Sequence, residues 1–142
     1  MEFKSQVGPS FGNNFNNRVE EALGNAADLW KAFREGAFRP SERPWLGYFM
    51  LLEDCPASVS SVRVDEPNFP VLEGFRNTSY TDRYRIFCER LVLERLYDAA
   101  CFMTSNQEGA ALGNYSEPSA ELSFRVFATS LMGKATAFAK MR

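Results

Sequence analysis

Residues 45–54 read WLGYFMLLED, an almost unbroken apolar run set between Pro44 and Pro56. A membrane-spanning helix needs about 20 apolar residues, so this run is far too short for one. Its length and its proline boundaries suit a strand buried on both faces, as in a parallel sheet. Upstream, Val19, Ala22, Leu23, Ala26, Ala27, Trp30 and Phe33 recur at helical spacing and predict a helix over residues 18–35. Asn17 is its expected cap, Glu20 and Glu21 suit the positive end of its dipole, and Gly36 is its expected stop. Before it, GPSFGNNFNN (residues 8–17) has the composition of a loop, and residues 2–7 read as a short strand. Strand, helix and buried strand make a βαβ unit with parallel strands and a right-handed crossover.

Downstream, prolines at 56, 67 and 70 mark residues 55–77 as a surface loop, with one short strand near 62–64. A second helix follows, capped by Ser79 with Asp82 three residues on. Its apolar face runs through Tyr84, Phe87, Cys88, Leu91, Leu96, Ala99, Ala100 and Met103. Residues 105–118 read as a loop. A last helix is expected from Pro118 toward Lys140, with Leu122, Phe127, Leu131, Ala135 and Phe138 facing inward.

The 142 residues suit one domain, and 14% aromatic content argues against disorder. A net charge of −2 means that binding to a polyanion must come from a local patch or specific geometry. Cys55, Cys88 and Cys101 are odd in number and form no C-x-x-C, which sets aside zinc-ribbon and disulfide-scaffold readings. Together with the lack of an apolar signal core, this leads us to expect a cytoplasmic protein with no membrane partner. Histidine is absent altogether, which removes Ser-His-Asp and Cys-His catalysis and any histidine metal cluster. Carboxylates, Lys, Tyr or Cys must carry any chemistry, and a bound metal would be a hard cation on oxygen ligands.

Side chains alternate along a strand, so Glu2, Lys4 and Gln6 share one face while Phe3 and Ser5 take the other. Phe3 is expected in the core and the polar three in a cleft. A carboxylate and an ammonium two residues apart suit metal-dependent phosphodiester hydrolysis. The acid binds Mg²⁺, and the lysine orients water or steadies developing charge. The same triplet also decorates many solvated surfaces, and one acid makes a poor Mg²⁺ site without a second from elsewhere. Asn and Arg read base edges, so Ser10, Asn13, Asn14, Asn16, Asn17 and Arg18 in the Gly-Asn loop could face DNA beside Gln6; equally, that loop is an ordinary turn leading into a capped helix. Arg83, Arg85, Arg90 and Arg95 could meet phosphates or pair with Glu89, Glu94 and Asp98. The cysteines read as small core residues.

Four stretches carry a resemblance over essentially the whole chain: EFKSQVGPSFGNNFNNRVEEALGNAADLW, RPWLGYFMLLEDC, RYRIFCERLVLERLYDAACFMTS and YSEPSAELSFRVFATSLMGKA. Together they resemble the XhoI family of type II restriction endonucleases. The resemblance implies an α/β fold: a partial PD-(D/E)xK nuclease core of strand, helix and strand, followed by C-terminal helices. Glu2 and Lys4 match that motif's acid and lysine, with Glu2 as metal ligand. It further implies Mg²⁺-dependent cutting of double-stranded DNA at CTCGAG, a homodimer suited to the palindrome, and a cognate methyltransferase as functional partner in a restriction–modification system. Family members extend further at the N-terminus. Residues 1–142 are therefore expected to form a single domain, the C-terminal portion of such an enzyme, without the upstream metal-binding Asp and inactive or weak alone. Glu20, Glu21 and Asp54 are the acids that could approach the site. The alternatives are a non-catalytic DNA-binding remnant and a protein-interaction domain dimerising through Phe124, Phe127 and Phe138, residues that could equally fill the chain's own core.

Overall fold

In the computed structural model, which describes residues 1–141, three parallel strands lie in the order β1 (Glu2–Gln6), β2 (Gly47–Glu53), β3 (Ala99–Ser105). Lys4 pairs with Met50, and Met50 with Phe102. Helix α1 (Phe11–Arg34) links the first two strands; α2 (Pro56–Val59) and α3 (Tyr80–Leu93) lie between the second and third. Helices α4 (Gln107–Ala111) and α5 (Phe124–Lys140) follow the sheet. No helix among the described residues is long and apolar enough to cross a membrane.

The βαβ reading of the N-terminal half holds, and β2 is the central strand. Tyr48, Met50 and Leu52 are fully buried on one face, against Ala22 and Ala26 of α1 and Tyr84, Phe87, Cys88 and Leu91 of α3. The other face is covered less completely. Phe127 of α5 packs with Cys101 and Met103 of β3, while Phe49 and Leu51 are only half-buried. This cover does not reach β1. Phe3 is 66% exposed and meets only the edge of the layer, its ring 5.4 Å from that of Phe49. The expectation that Phe3 anchors the core is thus reversed: the face of β1 that packs inward is the polar one.

Helix α1 starts at Phe11, well before the expected residue 18, and absorbs most of the Gly-Asn loop. Phe11 is buried and stacks on Tyr80 at 5.6 Å, so tertiary packing outweighs the weak helix preference of the four asparagines. Asn17 therefore caps nothing; Ser10 holds the cap position without a side-chain bond. At the far end Gly36 takes φ +82°, as a helix stop requires.

The largest correction is β3, read from the sequence as the end of the second helix. That helix stops at Leu93, where Arg95 turns into the left-handed region at φ 58° and the amides of Leu96 and Tyr97 both point to the Leu91 carbonyl. The expected strand at 62–64 is instead one backbone hydrogen bond, Val62 N to Thr78 O at 2.8 Å. The last helix begins after Ser123 rather than at Pro118, leaving buried Leu122 in a preceding 3-10 turn. Phe127 faces inward as expected, but Ala135 and Phe138 are exposed.

Helix α3 is fixed by a reciprocal cap. Asp82 N donates to Ser79 Oγ at 3.1 Å, and Ser79 N donates to Asp82 Oδ2 at 2.9 Å. The Ser79 hydroxyl, then the Ser79 amide, hold the Asp82 carboxyl below its ordinary value of 3.8. A depressed acid lends stability above its unfolded-state value and loses it as pH falls through the folded one. Ser79→Ala should therefore cost about 1 kcal/mol at neutral pH, read as a lower urea midpoint. The penalty should shrink as pH falls through and below 3.8.

Of the α3 arginines, Arg85 pairs with Glu89 at 2.8 Å, while Arg83 and Arg90 lie over the rings of Tyr80 and Phe75. Asp98 instead pairs with Arg43 at 2.5 Å. All three cysteines are free; Cys88 and Cys101 are buried core residues, and burial pushes the Cys101 thiol up to about 12.

Candidate active site

The candidate site lies where α1 runs back over β1. The inward face of β1 presents Glu2, Lys4 and Gln6 in succession. On α1, Asn14, Arg18, Glu21 and Asn25 fall within one narrow sector at 100° per residue, beside the apolar sector of Ala22 and Ala26. Because strand and helix run in opposite directions, Glu2 meets Asn25, and Lys4 meets Glu21 near Arg18.

The contacts form a chain of alternating charge. Lys4 Nζ donates to Glu21 Oε2 at 3.1 Å and lies 3.8 Å from Glu2 Oε2. Arg18 Nη1 donates to the same Glu21 oxygen at 2.6 Å. The hydrogen bond from Lys4 first, then that from Arg18, lowers the Glu21 carboxyl below its ordinary range. Glu2 is held on both oxygens. Asn25 Nδ2 donates to Oε2 at 3.1 Å, and the Tyr97 hydroxyl donates to Oε1 at 2.5 Å. Tyr97 is almost fully buried; burial, then its bond to Glu2, pushes its phenol far above the ordinary tyrosine value.

Of the acids named from the sequence, Glu21 is the one that reaches the site. Glu20 points to solvent on the sector it shares with Asn13 and Asn17. Asp54 lies beyond the end of β2, whose Met50 is the partner of Lys4.

The expected DNA-facing residues do not form one loop. Ser10 is exposed at the helix start, and Asn13, Asn16 and Asn17 project to solvent from the first turns of α1. Asn14 and Arg18 sit instead on the sector facing β1. Gln6 is buried at 3% exposure, and its Nε2 donates to the Val7 carbonyl.

Sequence reasoning missed Asn25 and Tyr97. Asn25 had a findable signal, a polar stripe at i, i+4, i+7 and i+11 from Asn14, which the loop reading cut in two. Tyr97 lies 95 residues from its partner, and no local pattern marks it.

A divalent cation would find carboxylate oxygens of Glu2 and Glu21 on either side of Lys4. Mg²⁺ is commonly held by only one or two carboxylates, with water and phosphate oxygens completing its shell. The donor chemistry therefore suits such an ion, although no group of three or more acidic, histidine or cysteine ligands converges among the described residues.

Comparison with known proteins places these residues in context. Residues 1–117 match the family model described as restriction endonuclease XhoI. The chain is 55% identical over 132 residues to the type II restriction enzyme BstVI of Geobacillus stearothermophilus, covering 93% of this chain and 59% of that protein. It is 50% identical over 94 residues to the type II restriction enzyme XhoI of Xanthomonas vasicola, covering 66% of this chain and 38% of the relative. Similarity to the type II restriction enzyme AbrI of Azospirillum brasilense is 62% identity over 69 residues, covering 49% of this chain and 31% of the relative. The matches thus span at most about three-fifths of these relatives' length. No solved structure matches the chain.

Proposed function

Because the chain belongs to the XhoI family of restriction endonucleases, we propose that its β1–α1 charge cluster is part of the catalytic site of a type II enzyme that hydrolyses phosphodiesters in double-stranded DNA. The observation that carries this reading is the contact of Lys4 with both Glu2 and Glu21 where α1 crosses β1, with Glu2 held on both oxygens. Family resemblance supplies the finer parts: a PD-(D/E)xK core, Mg²⁺ as cofactor, CTCGAG as the palindrome, a homodimer to match its symmetry, and a methyltransferase that protects the same sites.

Each residue has a definable task. Glu2, with Glu21 beside it, would hold Mg²⁺, which when bound polarises the phosphoryl group and lowers the pKa of its water. Lys4 brings a compact positive charge to the same place, able to orient the attacking water or to neutralise charge that grows on the phosphate. Arg18 donates to the same Glu21 oxygen as Lys4, and Lys4 also lies within ion-pair distance of Glu2. The exposed Asn13, Asn16 and Asn17 are available at the N-terminal end of α1 for polar contacts to DNA.

The test is cleavage of a plasmid carrying a single CTCGAG by residues 1–142 joined to the remaining length of a relative such as BstVI, because residues 1–142 alone are expected to cut weakly or not at all. We expect linear product with Mg²⁺, none with a chelator, and none from a plasmid with the site scrambled. Cutting that ignores both the chelator and the scrambled site would overturn the proposal. A non-catalytic DNA-binding remnant would instead bind equally well with and without Mg²⁺ and cut nothing.

A further inference from the structure

We propose that Tyr97 is a positioning residue for Glu2, its phenol fixing one carboxylate oxygen inward so that the other is presented to the cation and to Lys4. Asn25 is the second hold. The inference rests on the reading of Glu2 as the cation-binding acid.

The phenol carries one proton and has two acceptors in reach, Glu2 Oε1 at 2.5 Å and the Ala22 carbonyl at 3.0 Å. The Ala22 carbonyl belongs to a helix, where the N–H four residues on already serves it. The carboxylate is nearer, charged and the stronger acceptor, so the proton goes to Oε1. That leaves Oε2, which faces Lys4 at 3.8 Å and takes the Asn25 amide at 3.1 Å. Two bonds from two elements, one of them buried, remove rotation about the Glu2 carboxyl bond. A carboxylate fixed this way presents its free lone pairs in one direction, as outer partners of metal ligands do.

The competing view is that a buried tyrosine simply needs a partner, and Glu2 is convenient. The neighbouring core argues otherwise. Tyr48 and Tyr84 are also fully buried, and among the described residues their hydroxyls meet no hydrogen-bond partner. Tyr48 pairs with Glu2 in register, and its ring centroid is 5.5 Å from that of Tyr97. Of these three buried phenols, the one with a protein acceptor in reach is Tyr97, which comes from outside the sheet register to meet the acid.

Mn²⁺, which shares the oxygen-ligand preference of Mg²⁺, serves as the probe, with binding read by electron paramagnetic resonance at neutral pH. The full chain is compared as wild type, Tyr97→Phe, Glu2→Gln and the double variant. We expect Tyr97→Phe to weaken Mn²⁺ binding by about 10-fold, within the range typical of outer-partner losses, and Glu2→Gln to remove the site. In the Glu2→Gln background Tyr97→Phe should change nothing further, a pattern that general loosening of the fold would not produce. Wild-type affinity in Tyr97→Phe, or a loss that persists without Glu2, overturns the positioning role alone. Unchanged affinity in Glu2→Gln, or no Mn²⁺ binding by the wild type, overturns the cation-binding reading and this inference with it. Should Tyr97→Phe fail to fold, Asn25→Ala tests the same clamp from the exposed helix surface: a several-fold loss supports it and an unchanged affinity overturns it.

Discussion

Lys4→Ala should lower cleavage of CTCGAG plasmid by the natural protein by about 100-fold or more while leaving retention of a CTCGAG duplex nearly unchanged, because an electrostatic contact made mainly in the transition state is lost. Its ammonium stands beside both acids of the cluster, 3.1 Å from Glu21 and 3.8 Å from Glu2. The stability effect should be small. Lys4 is partly exposed, and ion pairs of this kind contribute about 0–1 kcal/mol. That separation of effects makes the test informative. Lys4→Arg, which keeps the charge but not the compact ammonium, should also cut poorly. Wild-type turnover in Lys4→Ala, measured with unchanged urea stability, would remove Lys4 from the mechanism.

Phe102→Ala should destabilise the fold by about 3–5 kcal/mol, the usual cost of deleting a buried ring. Phe102 is fully buried in the middle of β3, paired with Met50, its ring stacked 6.3 Å from Tyr84. Domains of this size are stable by only about 5–15 kcal/mol, so the variant should sit near the edge of unfolding in urea titrations. Phe3→Ala provides the contrast. Its ring is 66% exposed, so the loss should stay near the small values typical of surface positions. Similar losses for the two phenylalanines would mean that the two faces of β1 had been assigned the wrong way round.

Which parts of this molecule could be read in advance follows from how side chains report burial. The apolar run of β2 was legible because prolines bound it at strand length, and with it came β1, α1 and the parallel pairing. β3 was not legible for a related reason. AACFMTS is buried on both faces, so it lacks alternation and continues the apolar count of α3 without a break. Only the left-handed turn at Arg95, which no composition rule marks, separates the two.

Phe3 was misplaced because the rule that apolar residues turn inward assumes that both faces of a strand are covered. Over β1 the cover is α1, and α1 brings its polar stripe. Spacing placed Glu2 and Lys4 on one face of β1, and their match to a nuclease acid and lysine came only from the family resemblance. Glu21 was within reach once α1 was seen to run back over β1. Tyr97 depended on β3, a strand that sequence periodicity concealed.

The bond between Glu2 and Tyr97 also sets an order of events during biosynthesis. Glu2 is made well before β3, and the phenol that holds its carboxylate is made 95 residues after it. Helix α1 can fold over β1 early and bring Lys4, Glu21 and Asn25 together. Glu2 then has one hold, and gains the second only when the chain leading into β3 has been made and packed. If the cluster is a nuclease site, a chain that stops before Tyr97 lacks the second hold on its acid. On that reading the acid is oriented only after translation has passed β3, a delay written into the fold.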